Sequence, residues 1–169
     1  MFTQEQVRAN LEIALHKAEE ALKRGNYPIG SVVTNAENEV LAVEMNESFT
    51  SDIAAHAEII CLRKLGNSIN KYTSGEHYLF TSLEPCFGCS FFIARSNIKV
   101  IYSALKDPHK GGMSDLKNQE QFSQFFKNIE LINDPFEDLR ERSRDIMKRF
   151  FISIKNYDAA KHYGDIETN

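Results

Sequence analysis

Apolar residues near the start of the chain recur at every third or fourth position. They follow Thr3-Gln4-Glu5-Gln6, which is typical of a helix capping box, and they continue up to Gly25. Two short runs of β-forming residues, 31–34 and 39–43, flank the polar stretch 35–38. The pattern therefore predicts a long N-terminal helix followed by a β-hairpin.

The rest of the chain alternates between helical and extended patterns. A helix is predicted at 53–65, with Asp52 as its N-cap and Gly66 as its stop. Another helix begins at Pro85, whose ring suits the first helical position, and runs to about Arg95. The remaining predicted elements are strands at 77–81, 99–104 and 129–132, a helix at 119–127 and an amphipathic closing segment at 137–156.

This order of elements predicts an α/β fold. Helices interleaved with strands imply a three-layer α/β/α sandwich on a mixed, mostly five-stranded sheet. No internal repeat or break in composition divides the sequence. We therefore expect residues 1–169 to form a single domain.

Composition and charge narrow the class of protein. The chain has 169 residues and is 42% hydrophobic, which suits a domain with its own core. Three cysteines do not suggest a disulfide framework, which fits a reducing compartment. The N-terminus shows no basic region followed by an apolar run. We therefore expect a cytoplasmic protein with no membrane segment. The net charge of −4 weighs against a protein that holds nucleic acid mainly by its backbone.

Candidate chemistry is concentrated in His56-Ala57-Glu58 and Pro85-Cys86-Phe87-Gly88-Cys89. One imidazole and two thiols can hold a zinc ion and leave one coordination position open for water. This pattern, H-x-E followed by P-C-x-x-C, is the signature of zinc-dependent base deaminases. Residues two apart on a helix point to nearly opposite sides, so His56 and Glu58 can share a site only if the metal lies near a helix start.

Other readings of these residues stay open at this stage. A Cys-x-x-Cys pair can be a redox centre or half of a structural zinc site. The remaining thiol, Cys61, lies in the apolar run 59–62 and is expected in the core. A zinc-stabilised binding domain without catalytic activity is a further alternative, but it would have no structural need for a carboxylate at Glu58.

The motifs resemble the cytidine deaminase-like superfamily, and within it the branch of bacterial tRNA adenosine deaminases and small guanine deaminases. Besides the two motifs above, Pro28-Ile29-Gly30-Ser31-Val32 and Asn46 match the family pattern, and the resemblance covers roughly residues 28–107. The resemblance implies that His56, Cys86 and Cys89 bind zinc and that Glu58 shuttles protons. It also implies that the base is bound by the Asn46 side chain, the Ala57 backbone N–H and Asp107.

The resemblance leaves two substrates in view. We expect a purine such as guanine, free or in a nucleoside, because the net charge is −4 and the 46–56 loop is short. The alternative substrate is the wobble adenosine of tRNA. Basic residues that could hold RNA favour this alternative: Lys106, Lys110, Arg140, Arg142, Arg144, Lys148 and Arg149. For His109, a contact with substrate stays open, although a lone histidine in a loop is more often a surface residue. A homodimer is expected, because the relatives commonly form dimers and 91–93 is an unusually apolar run.

Overall fold

The computed structural model describes residues 2–70, 75–109 and 112–165. The helices are α1 (Gln4–Lys23), α2 (Ala57–Leu65), α3 (Phe87–Ile93), α4 (Met113–Asn118), α5 (Glu120–Phe126), α6 (Glu137–Ser153) and α7 (Tyr157–Lys161), with one 3-10 turn at Gly66–Ile69. The strands are β1 (Gly30–Asn35), β2 (Val40–Met45), β3 (His77–Thr81), β4 (Ile98–Ser103) and β5 (Glu130–Asn133). The predicted capping box is confirmed, since Thr3 Oγ1 accepts from the Gln6 N–H and Gln6 Oε1 accepts from the Thr3 N–H.

The strands form one five-stranded sheet in the order β2-β1-β3-β4-β5. Strand β1 pairs antiparallel with β2 and β3, whereas β3, β4 and β5 run parallel. Successive side chains on a strand point to opposite faces. Val32 accordingly packs with residues of α1 and α6, and Val33 packs on the other face with residues of α2 and α3. The predicted three-layer sandwich on a mixed sheet is confirmed.

Two predicted helix starts are wrong by a few residues. Asp52 does not cap α2; its carboxylate accepts from the Ala54 N–H in a local turn, and the backbone stays extended at His56, which is the N-cap of α2. Pro85 does not occupy the first position of α3, because Cys86 is the N-cap and also has an extended backbone. At Asp52 a local turn therefore satisfies polar groups before the helix begins.

The C-terminal part of the chain differs more from its prediction. Helices α4 and α7 were not predicted as separate elements. The amphipathic segment is a helix only up to Ser153, after which the chain turns back. A small core then forms beyond the ends of β3 and β4, where Leu83 and Leu105 pack with apolar residues of α6 and the segment after it: Met147, Phe150, Phe151, Ala160 and Tyr163.

This core places α6 and α7 beside the carboxyl ends of the parallel strands, the edge at which open α/β sheets bind ligands. None of the described helices combines the length and the apolar character that crossing a membrane requires.

Candidate active site

Three metal-binding side chains converge where α2 and α3 begin. His56 caps α2, Cys86 caps α3, and Cys89 lies one turn into α3. Their ligand atoms all lie within 4.8 Å of one another. His56 Nδ1 is 3.6 Å from Cys86 Sγ and 3.4 Å from Cys89 Sγ. Zinc–sulfur and zinc–nitrogen bonds in a tetrahedral site put such atoms about 3.6 Å apart, so this donor set fits zinc.

The ionisation of these groups also suits a cation. The pKa of Cys86 falls to about 4, because the Cys89 thiol donates to its sulfur and His56 lies beside it. The pKa of His56 is raised, first by its contact with Cys86. A sulfur that carries negative charge next to an imidazole is a ready site for a metal ion.

Glu58 shares this site with the three donors. It is the second residue of α2 and only 3% exposed. Its carboxylate oxygens lie 3.6 Å from Cys89 Sγ and 3.5 Å from Thr81 Oγ1. Burial, followed by the negative charge of Cys86, raises the pKa of Glu58 to about 7. A carboxyl group with such a pKa can accept and release a proton near neutral pH.

Asn46 presents an unsatisfied donor. Its Oδ1 accepts from the Ser48 N–H at 2.8 Å and from Ser48 Oγ at 2.9 Å, which orients the amide. Its Nδ2 is buried, and no acceptor in the described part of the chain bonds to it. A buried donor without a partner costs about 1–3 kcal/mol. This cost points to a ligand that accepts from Nδ2.

A cavity of about 470 Å³ joins these groups. Of the residues predicted for the site, Asn46, His56, Glu58, Cys86 and Asp107 line it. Cys89 and Ala57 lie behind this wall and are buried. The Ala57 N–H belongs to the first turn of α2, where amides have no intrahelical acceptor.

Several lining residues carry no motif in the sequence. They are Tyr27, Phe49, Met147, Phe151, Asn156 and Tyr163, whereas Ile29 and Leu83, which also line the cavity, belong to the deaminase-like motifs. His109 also lines the cavity and is half-buried. Proximity to Asp107 in sequence was the one signal that could have placed His109 here. No local pattern identifies the others, because they come from distant parts of the chain.

Glu84 holds the loops around the cavity in position. Its buried carboxylate accepts from the Ser114 N–H at 2.6 Å and from the Asp107 N–H at 3.3 Å. Asp107 Oδ1 in turn accepts from the His109 N–H and from Tyr163 Oη, both at 2.9 Å. The Asp107 carboxylate is therefore already engaged within the protein. Lys110, which the sequence analysis added to this loop, lies outside the described residues.

The arginines of the predicted basic surface are paired with acids. Their ion pairs are Arg140 with Glu137 and Glu141, Arg142 with Glu19, Arg144 with Glu141, and Arg149 with Asp145. These contacts are typical of a solvated helix face on which charges balance.

Comparison with known proteins decides the family. The sequence profile of the cytidine and deoxycytidylate deaminase zinc-binding region matches residues 4–105. The chain belongs to this family. The deaminase is 36% identical over 107 residues to the tRNA-specific adenosine deaminase of Aquifex aeolicus, covering 62% of this chain and 70% of that relative.

Solved structures agree with the fold of the deaminase. A chain from a study of A-to-I editing by tRNA:A34 deaminases at the wobble position superposes with a TM-score of 0.64 at 26% identity, covering 82% of this chain and 99% of that one. The guanine deaminase of Nitrosomonas europaea superposes with a TM-score of 0.65 over 89% of this chain and 85% of that one, and at 16% identity it supports the fold alone. The protein is thus a zinc-dependent hydrolytic deaminase, and the redox and non-catalytic readings are wrong.

Proposed function

We propose that this enzyme removes the exocyclic amine from a purine ring bound in the 470 Å³ cavity. One observation carries the proposal: the unpartnered Nδ2 of Asn46 and the buried carboxylate of Glu58 line the same cavity as the His56–Cys86 donor pair. A heterocycle with a carbonyl or ring nitrogen would satisfy Nδ2. Its amine-bearing carbon would then lie near the proton-transferring group.

Each side chain has a role in this reaction. His56, Cys86 and Cys89 would hold zinc, which when bound supplies a water molecule that ionises near neutral pH. Glu58 would accept one proton of that water and give it to a ring nitrogen, and would then move the proton of the added hydroxyl to the departing amine. Oxygen is added to the ring carbon, the C–N bond breaks, and ammonia leaves. Asn46 Nδ2 and the Ala57 N–H hold the ring by donating to its acceptors.

The first candidate substrate is the wobble adenosine of tRNA. The support comes from the Aquifex relative, named a tRNA-specific adenosine deaminase, and from the A-to-I editing structure, almost all of whose chain this protein covers. Enzymes of this kind place a flipped nucleotide in a pocket. The comparisons favour this substrate over the free purine that the sequence analysis placed first.

A free purine or its nucleoside is the second candidate, because two observations on this chain favour it. Every arginine from Arg140 to Arg149 is ion-paired with an acid of the same chain. The C-terminal segment also packs against the cavity, and its Tyr163 engages Asp107. Both features reduce the positive charge and the accessible surface with which the protein could bind a phosphate backbone.

An ammonia-release assay on zinc-loaded enzyme separates the candidates. The panel contains guanine, adenine, guanosine, adenosine and a tRNA anticodon stem-loop, with Glu58→Gln as the inactive control. Deamination of the stem-loop alone, weakening steeply as salt rises, supports the tRNA candidate. If a free base or nucleoside is deaminated at a rate that hardly changes with salt, the result supports the second candidate, the small purine. No release from any purine substrate would contradict the proposed function.

The Arg144→Glu, Arg149→Glu double variant sharpens the comparison. Both arginines pair only with acids of α6, so their replacement leaves the Arg142–Glu19 bridge to α1 intact. If RNA is the substrate, the variant should lose stem-loop activity. If a small purine is the substrate, the variant should turn it over as fast as the wild type does.

We further propose that the enzyme acts in the cytoplasm as a homodimer.

A further inference from the structure

The C-terminal segment returns to the cavity after α6 ends. Lys155 adopts a left-handed backbone, with φ of 58°, and this turn reverses the direction of the chain. Asn156 then caps α7 by accepting from the Ala159 N–H at 3.1 Å. Asn156 and Tyr163, which flank α7, both line the cavity. A segment without a motif thereby becomes part of the site.

Tyr163 is the most strongly held residue of this segment. It is only 2% exposed, and its ring stacks on Phe151 with centroids 5.6 Å apart and planes 20° apart. Its hydroxyl donates to Asp107 Oδ1 at 2.9 Å. Burial raises the pKa of Tyr163, so the hydroxyl stays protonated and continues to donate at neutral pH.

The hydrogen bond joins two parts of the cavity wall that also meet at the His109 and His162 rings, whose centroids are 4.5 Å apart. Asp107 lies in the loop after β4, whereas Tyr163 lies beyond α7, 56 residues later. Hydrogen bonds to a charged acceptor are stronger than those between neutral groups. The bond also orients Asp107, because two donors converge on its Oδ1 and leave Oδ2 free of both.

We propose that Tyr163 is a specificity-determining residue of the deaminase. Its hydroxyl positions Asp107 and closes the wall between the β4–α4 loop and the C-terminal segment, and so disfavours substrates that extend beyond the purine ring. The inference rests on the proposed function, because it assigns selectivity by size to the same cavity. Without the hydroxyl, Asp107 loses one of its two donors and this wall loosens, so larger substrates gain relative to smaller ones.

Tyr163→Phe tests the proposal, since it keeps the stacked ring and removes only the hydrogen bond. The measured quantity is kcat/KM for a series of increasing size: free base, nucleoside, nucleoside 5′-monophosphate and anticodon stem-loop. We expect the ratio of larger to smaller substrates to rise about tenfold, the change that corresponds to losing one charge-assisted hydrogen bond. Tyr157→Phe is the matched control, because Tyr157 lies on α7 but is 50% exposed.

A second readout does not depend on turnover. Zinc-loaded wild type, Tyr163→Phe and Tyr157→Phe are mixed with excess 4-(2-pyridylazo)resorcinol, and zinc transfer is followed by absorbance. A loosened wall should speed transfer from Tyr163→Phe by about tenfold, measured at a temperature well below the unfolding transition of both variants. A Tyr163→Phe, Asp107→Ala double variant should transfer zinc no faster than Asp107→Ala alone, because the bond to Tyr163 is already lost in that single variant.

The outcomes separate the inference from the proposed function. If wild type deaminates a member of the series but Tyr163→Phe changes neither the size ratio nor the rate of zinc transfer, the inference is overturned and the proposed function stands. If wild type deaminates none of them, the proposed function fails, and the rate of zinc transfer still decides whether Tyr163 closes the wall.

Discussion

His56 and Glu58 are two residues apart, yet both contact the sulfur of Cys89, His56 Nδ1 at 3.4 Å and Glu58 Oε2 at 3.6 Å. On a regular helix, side chains at this spacing point to nearly opposite sides. They meet here because His56 is the N-cap, with an extended backbone at ψ of 145°, and only Glu58 is helical. The position at which α2 begins therefore brings a side chain able to bind metal and a carboxyl group suited to proton transfer into one site.

The metal site predicts a defined stoichiometry. Wild-type protein should retain about one zinc per chain after dialysis, because one imidazole and two thiolates form a complete set of protein ligands. Cys86→Ala should lose most of this metal. Cys61→Ala is the control, since Cys61 is buried in the core and its sulfur contacts the Ser31 carbonyl instead. Elemental analysis measures both, and a full zinc content in Cys86→Ala would remove Cys86 from the site.

Glu58→Gln should separate catalysis from metal binding. Glutamine keeps the size of the side chain but cannot shuttle a proton, so we expect kcat to fall by roughly 10²–10⁴. Zinc content and melting temperature should stay close to those of wild type, since Glu58 is not one of the three donors. Turnover near that of wild type would sink the proposed mechanism.

Asn46→Asp tests the proposed contact to the base. Aspartate keeps the acceptor for the Ser48 N–H and hydroxyl but replaces the unpartnered Nδ2 donor with an oxygen. A lost donor that meets a substrate acceptor costs about 1.5–3 kcal/mol, so kcat/KM should fall roughly 10- to 100-fold, mainly through KM. Ser48→Ala leaves Nδ2 in place and should have a much smaller effect. Equal effects of the two variants would contradict this role of Asn46.

Two glycines near the zinc site give a matched pair. A Cβ at Gly112 would lie 2.3 Å from the Pro85 carbonyl oxygen, a backbone atom next to Cys86, whereas a Cβ at Gly88 meets no atom within 4 Å. Gly112→Ala should displace Cys86 and weaken zinc binding about 10- to 100-fold. Gly88→Ala, inside α3, should stabilise the fold by about 0.5–1 kcal/mol. Chelator competition and thermal unfolding measure both, and similar zinc affinities would show that the Gly112 contact does not position Cys86.

The exposed surface of α3 predicts the assembly. Ile93 is buried, but Phe87, Phe91 and Phe92 are 49%, 51% and 54% exposed. Phe92 also borders a cavity of about 380 Å³ between α2 and α3. Apolar surface of this kind marks an interaction site, and we expect a homodimer through it. Phe92→Glu should give monomers in light scattering at micromolar concentration, whereas Phe125→Glu, at a site equally exposed but on α5, should not. A monomeric wild type would contradict the prediction.

Short motifs in the sequence are sufficient to identify the candidate metal donors and Glu58, and the hydrophobic pattern predicts the order of the central elements. These features are encoded locally: His56-Ala57-Glu58 and the Cys86–Cys89 pair each lie within a few residues, and strand alternation and helical spacing repeat over short windows. The resemblance to deaminases rested on the same short motifs, and the family comparison confirms it.

Tertiary structure decided where α2 and α3 begin and what closes the cavity. Both starts depend on the extended backbone at His56 and Cys86, and propensity does not fix a helix start to within one or two residues. The bond from Tyr163 to Asp107 spans 56 residues and forms only because the chain reverses at Lys155 and packs on Phe151. No local pattern specifies such a contact, because its free energy comes from burial between distant segments.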